Sequence, residues 1–144
     1  MKVGELVPNF ILKDENGNDF ELYNNIEKFI LLAFYPKDDT PVCSSQLADY
    51  NKNLNEFVKN KIGVVGINTD SVKSHLAFSN KLKLKFPLLS DPDKKVSRQF
   101  DALNLLGMTK RLLVLIRKDK RVVWTASTLP INFIKTEEII NKTR

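Results

Sequence analysis

The 144 residues predict one α/β domain spanning 1–144, with helices packed on both sides of a central mixed β-sheet. Three observations point there. "KFILLAFY" (28–35) and "IGVVGIN" (62–68) are unbroken apolar runs of strand length, the mark of strands buried on both faces. Each is followed by a segment with helical periodicity. Near the C-terminal end, "RLLVLIRKDKRVVWTAS" (111–127) reads as two apolar runs around a charged turn, an antiparallel hairpin that makes the sheet mixed.

The elements follow in order. "NFILKDENGNDFEL" (9–22) places Gly17 in a turn between short apolar runs and predicts an N-terminal β-hairpin. After the first buried strand, Leu47, Tyr50, Leu54, Phe57 and Val58 fall on one stripe of a 3.6-residue period, so one long helix is expected. The second buried strand leads to a helix over 71–82, with Thr69 or Asp70 as its cap. His75 then reads as a helix-surface residue. "FPLLSDPD" (86–93) is a short strand running into a turn, and Asp93 is placed to cap a helix over 94–101. In the hairpin, strands 111–117 and 121–127 flank a turn at 118–120, and Trp124 packs in the core or at a sheet edge. A last helix starts near Thr136, where Glu137 and Glu138 suit the positive end of the helix dipole.

Composition narrows the function. The net charge of +6 invites a nucleic-acid partner, but the lysines alternate with apolar residues as on solvated faces, so no nucleic-acid role is expected. The longest apolar run, "FILLAFY" (29–35), is far below the ~20 residues of a membrane helix. No membrane role is expected, and the protein reads as soluble and cytoplasmic. A single cysteine excludes an internal disulfide and a Cys-rich zinc site, and one histidine adds little grip for a transition metal. The adjacent acids Asp38 and Asp39 read as solvated loop residues.

The lone Cys43 sits in "FYPKDDTPVCSSQL" (34–47). Pro36 opens a polar loop after the buried strand, Thr40 suits an N-cap and Pro41 suits the first helical position. Cys43 then falls in the first turn, where unbonded N–H groups and the helix dipole favour an ionised sulfur. A free cysteine is often a small buried hydrophobe. Here the neighbours are Ser44, Ser45 and Gln46, which favours a reactive thiol.

These residues carry a resemblance. P36-K-D-D-T40-P-V-C43 fits P-x-x-x-T-x-x-C, the active-site pattern of the peroxiredoxins, and "FYPKDDTPVCSSQ" resembles the bacterioferritin-comigratory (Q-type) branch. "VGINTDSVKSHLAFSNKLKLKFPLLSDPDKKVSRQF" (65–100) and "RLLVLI" (111–116) extend the likeness to nearly the whole chain. The resemblance implies a thioredoxin-like fold and a thiol-dependent peroxidase. Carried over by position, Cys43 is the nucleophile that attacks peroxide and becomes a sulfenic acid. Thr40 contacts the sulfur and the peroxide, Arg111 lies near both, and Pro36 shields the pocket from water. The backbone N–H groups of Val42 and Cys43 complete the substrate cradle.

Hydrogen peroxide or a small alkyl hydroperoxide is the implied substrate, and no cofactor is needed because the redox centre is the side chain. Ala48 stands where many Q-type members carry a resolving cysteine, so an external thiol, either a thioredoxin-like protein or a small thiol, must reduce the sulfenate. Arg117 stands where an acidic residue is usual, at a peripheral position. The relatives include monomers and homodimers. The alternative is a peroxide sensor or redox-regulated binding protein using the same sulfenic acid with little turnover.

Ionisation alone does not make a fast peroxidase. Moving a thiol from pKa ~8.5 to ~6 gains about 30-fold in thiolate at pH 7, while falling nucleophilicity takes back roughly ten-fold. The rest must come from fixed donors aimed at the breaking O–O bond. Thr40, Arg111 and the backbone amides are the groups suited to that work.

Overall fold

The computed structural model describes residues 1–144. Strands β1 (Ile11–Lys13), β2 (Asp19–Glu21), β3 (Phe29–Phe34), β4 (Ile62–Asn68), β5 (Leu88–Ser90), β6 (Arg111–Arg117) and β7 (Val122–Thr128) form one sheet in the order β2-β1-β5-β4-β3-β6-β7. The sheet is mixed: β3 runs parallel to β4 and antiparallel to β6. The expected hairpins form at both ends, with Gly17 at φ 79° in the first. That left-handed value is open to glycine at no steric cost.

The continuous apolar runs now have their reason. Along β3, Leu31, Ala33 and Tyr35 face a core shared with Cys43, Leu47, Tyr50, Phe57, Phe78 and Ile139. The alternate residues Ile30, Leu32 and Phe34 face a second core with Val7, Phe10, Leu22, Val96 and Phe100. A strand with two buried faces has no place for a polar residue, because side chains alternate across the sheet. Trp124 lies on the edge strand β7 and packs half-buried against the first core. No helix is long and apolar enough to cross a membrane.

The helices are α1 (Pro41–Lys52), α2 (Leu54–Lys59), α3 (Val72–Leu82), α4 (Lys95–Gln99) and α5 (Thr136–Asn141). Four expectations need correction. The long helix after β3 is two, because Asn53 takes a non-helical ψ of 20° and its amide donates to the Asp49 carbonyl at 2.8 Å. Such local side-chain bonds compete with the helix ladder. The break re-aims α2, leaving Val58 64% exposed while Phe57 stays buried. Ser71, and neither Thr69 nor Asp70, caps α3 by accepting from Ser74 N–H at 3.1 Å. Helix α4 is shorter than expected, and Asp91 rather than Asp93 satisfies most of its start. The buried Asp91 carboxylate accepts from Ser97 N–H at 2.7 Å and Val96 N–H at 3.3 Å, while Asp93 takes only Lys95 N–H.

Within β4, Gly66 is a close-approach point for the Tyr35 and Leu88 side chains. A Cβ there would stand 2.8 Å from Leu88 Cδ2 and 3.0 Å from Tyr35 Cε1, both fully buried side chains. Overpacking of this kind costs about 1–3 kcal/mol. Gly66→Ala is therefore expected to lower the urea midpoint by that amount of stability without changing the slope of the transition.

Candidate active site

Cys43 occupies the third position of α1, whose N-terminus abuts the C-terminal end of β3. Its sulfur is in the core, 1% exposed. Arg111, the first residue of β6, is 4% exposed and reaches across with Nη2 3.4 Å from Cys43 Sγ. The antiparallel pairing of β6 with β3 sets this meeting, since Leu112 registers with Phe34 one step before the loop. The two residues singled out 68 positions apart are thus in contact.

The guanidinium is held on three sides. Nη1 donates to Gln46 Oε1 at 2.5 Å, Nη2 also donates to the Pro130 carbonyl at 3.0 Å, and Nε has no partner. No carboxylate lies within 4.0 Å of it. A buried cation without a counter-charge is costly. The ionisable group in contact with Arg111 is the thiol of Cys43.

Gln46 is itself fixed by a chain the sequence reading did not identify. Tyr50 donates to the Ile134 carbonyl at 2.7 Å and accepts from Gln46 Nε2 at 3.1 Å, so the Gln46 oxygen is turned toward Arg111. Burial pushes the Tyr50 phenol well above its usual range, so it remains a donor. The signal was available: Gln46 follows Cys43 by three residues and Tyr50 follows Gln46 by four, on one helix face.

Thr40 occupies the N-cap position but does not cap, which corrects the expectation. Its hydroxyl donates instead to the Lys37 carbonyl at 2.9 Å. The first bond of the helix runs from Ser44 N–H to the Thr40 carbonyl, and the N–H groups of Val42 and Cys43 find no acceptor in the protein. An absent cap costs roughly 1 kcal/mol. What it leaves is a pair of open donors beside the sulfur. Pro36 and Val42 are half-buried around this turn.

Two further expectations are overturned. Asp38 is not a solvated loop acid and His75 is not a surface residue: they are 6% and 0% exposed. His75 Nδ1 lies 2.6 Å from Asp38 Oδ2, and the same carboxylate accepts from Tyr35 OH at 2.5 Å, Ser74 Oγ at 2.7 Å and Asn68 Nδ2 at 3.1 Å. Parallel pairing of β3 with β4 brings their C-terminal ends together, which no local pattern around Asp38 or His75 announces. Asp39, by contrast, is exposed as expected and pairs with Lys81 at 2.7 Å. Burial and the Asp38 charge together push the Tyr35 phenol well up, so it stays a donor to that carboxylate.

A thioredoxin-like sheet with one thiol in the first turn of a helix, facing a buried guanidinium, defines the peroxiredoxin class of thiol-redox proteins. The chain belongs to the AhpC/TSA family, whose pattern matches residues 3–125. It is similar to the bcp protein of Helicobacter pylori, 38% identical over 102 residues that make up 71% of this chain and 67% of that one. Peroxiredoxin Q of Arabidopsis thaliana chloroplasts is 39% identical over 97 residues, 67% of this chain and 45% of that one, so the match spans under half of the plant protein. Among solved structures, a PrxQ mutant of Xylella fastidiosa superposes with TM-score 0.89 at 29% identity, covering 99% of this chain and 94% of that one. The Q-type resemblance read from residues 34–47 therefore holds.

Burial alone would raise the Asp38 pKa, but the hydrogen bond and charge of His75, with the bonds from Tyr35 and Ser74, outweigh it and hold the carboxyl below its usual range. A depressed folded pKa stabilises the fold above the unfolded value of ~3.9, and that contribution is lost as pH falls through the folded value. At neutral pH, Asp38→Asn is expected to cost about 3 kcal/mol or more, because it removes the buried carboxylate on which four side-chain donors converge. In urea unfolding repeated from pH 7 downward, the gap between native and variant should hold to about pH 5 and shrink below pH ~4.

Proposed function

We propose that the protein reduces hydrogen peroxide and small organic hydroperoxides through Cys43, drawing electrons from an external thiol. The observation that carries this is the buried Arg111 guanidinium, which has no carboxylate partner and stands 3.4 Å from the Cys43 sulfur. Such a cation favours the anionic sulfur and the negative charge that develops on a peroxide as its O–O bond breaks.

In the first step the Cys43 thiolate attacks the near oxygen of ROOH. An S–O bond forms, the O–O bond breaks, and RO⁻ leaves to take a proton, giving alcohol or water and Cys43 sulfenic acid. Arg111 and the open N–H groups of Val42 and Cys43 supply donors for the two oxygens. Thr40 can turn its hydroxyl from Lys37 toward them, and Pro36 keeps bulk water from the turn. The chain is the oxidant of the second half. One external thiol attacks the sulfenic sulfur, water leaves, and a second thiol reduces the mixed disulfide to restore Cys43.

No second cysteine exists, and exposed Ala48 stands in the helix where a resolver would sit. At 1% exposure the sulfur is out of reach of a protein thiol, so the first turn of α1 must open before resolution. Its missing side-chain cap makes that opening less costly. The setting proposed is the cytoplasm, where thiol reductants are abundant, with the chain acting as a monomer or a homodimer.

Peroxide consumption with dithiothreitol as reductant tests the assignment. Cys43→Ser should abolish turnover, while Arg111→Met and Thr40→Val should each lower it by about 10²-fold or more, the usual cost of one transition-state donor. Near-native rates in both of the latter would refute the site. Treating the native chain with one equivalent of peroxide should add a single oxygen to Cys43 by mass spectrometry, with no disulfide until an external thiol is supplied.

A further inference from the structure

The loop joining β3 to α1 carries Pro36 and Thr40 of the candidate site, yet its firmest attachment is midway between them, at Asp38. The four side-chain donors on that carboxylate come from three places: Tyr35 at the end of β3, Asn68 at the end of β4, and Ser74 with His75 on α3. The backbone N–H of Asp38 is tied as well, to Asp70 Oδ2 at 2.8 Å, and Asn68 Nδ2 lies 3.2 Å from the same oxygen. The far nitrogen of His75 lies 3.0 Å from the Leu89 carbonyl. Both ring nitrogens therefore face acceptors. The buried Asp38–His75 pair bridges the loop to α3 and β5.

The loop needs such a tether. Asp39 holds φ 58°, a left-handed value unfavourable for a residue with a Cβ, and it directly precedes Thr40. The Thr40 hydroxyl is held only by its bond to the Lys37 carbonyl, while the Thr40 carbonyl accepts the first helix bond from Ser44 N–H. Its hydroxyl can serve a peroxide only if residues 37–40 keep their path, and the group that fixes the path is Asp38. None of the steps written above uses either His75 or Asp38.

We propose that His75 and Asp38 are positioning residues for peroxide cleavage: the hydrogen-bonded pair sets the loop that presents Thr40 to the substrate, without touching substrate itself. This rests on the peroxidase reading of Cys43. The dependence separates two reactivities of one sulfur. Alkylation by iodoacetamide needs the thiolate alone, whereas peroxide reduction also needs the donors aimed at the two oxygens.

The test measures both second-order rate constants at neutral pH on the full chain, by stopped-flow fluorescence for peroxide and by mass spectrometry for iodoacetamide. For His75→Gln, the peroxide rate is expected to fall at least ten-fold while alkylation changes less than three-fold. Ser74→Ala removes one donor to Asp38 and leaves the Asp38–His75 contact in place, so it tests the same prediction if His75→Gln does not fold. Its expected loss is two- to five-fold on peroxide alone. The double variant His75→Gln with Asp38→Asn should fall no further than the worse single, since the two act as one unit. A native-like peroxide rate in folded His75→Gln, or in Ser74→Ala where that variant stands in for it, overturns the proposal. Parallel loss of both reactivities also overturns it, because the sulfur and not the loop would then be disturbed. A native chain whose Cys43 reacts with peroxide no faster than a free thiol overturns the peroxidase reading itself, and the positioning role with it.

Discussion

Placing a guanidinium inside a protein core is costly, and Arg111 is held there with one face on amide and carbonyl oxygens and the other on a sulfur atom. The arrangement is stable only if something nearby takes negative charge. A carboxylate would satisfy it permanently and leave nothing for catalysis. A thiol satisfies it conditionally, because an ionised sulfur can pass its charge to an oxygen and take it back. The sheet, the two cores and the α1 start can be read as the framework that keeps this one contact in place.

Rigidity is unevenly supplied around that contact. Arg111 begins a strand that is buried through Ile116 and paired on both sides, to β3 and β7. Its orientation is reinforced by the Ile134–Tyr50–Gln46 chain, in which the Tyr50 hydroxyl both donates and accepts. Cys43, by contrast, sits on a helix turn whose N–H groups are left open and whose cap residue bonds elsewhere. In the proposed reaction the fixed half is the charge that stabilises the breaking bond. The softer half is the sulfur, which that reaction requires to be closed in for the attack and accessible to a reductant afterwards.

Much of this was legible in the residues, and the reason for each miss is physical. Continuous apolar runs gave β3, β4 and β6 to within a residue, because a strand buried on two faces admits nothing polar. The meeting of Cys43 with Arg111 was legible through the likeness to a known pattern, whereas the Thr40 hydroxyl, expected at the sulfur, bonds the Lys37 carbonyl instead. The helix break at Asn53 was hidden because Leu54, Phe57 and Val58 continue the apolar stripe, and one side-chain bond decides the matter. Asp38 and His75 were misread for a deeper reason. Each is polar within a locally polar stretch, and only the parallel pairing of β3 with β4 brings their partners together.

That misreading bears on how buried polar groups should be weighed. Asp38 and Arg111 are both charged and nearly inaccessible, yet the protein treats them oppositely. Asp38 is over-satisfied: four side-chain donors converge on it, and its own N–H is bonded to a second carboxylate. Arg111 is under-satisfied, with Nε unpartnered and no acid in contact. A saturated charge has no interaction left to offer, so it serves as a joint between elements. An unsaturated one retains part of its field for whatever enters beside it. The difference in hydrogen-bond completeness, more than burial itself, separates the group proposed to hold the loop from the group proposed to act on substrate.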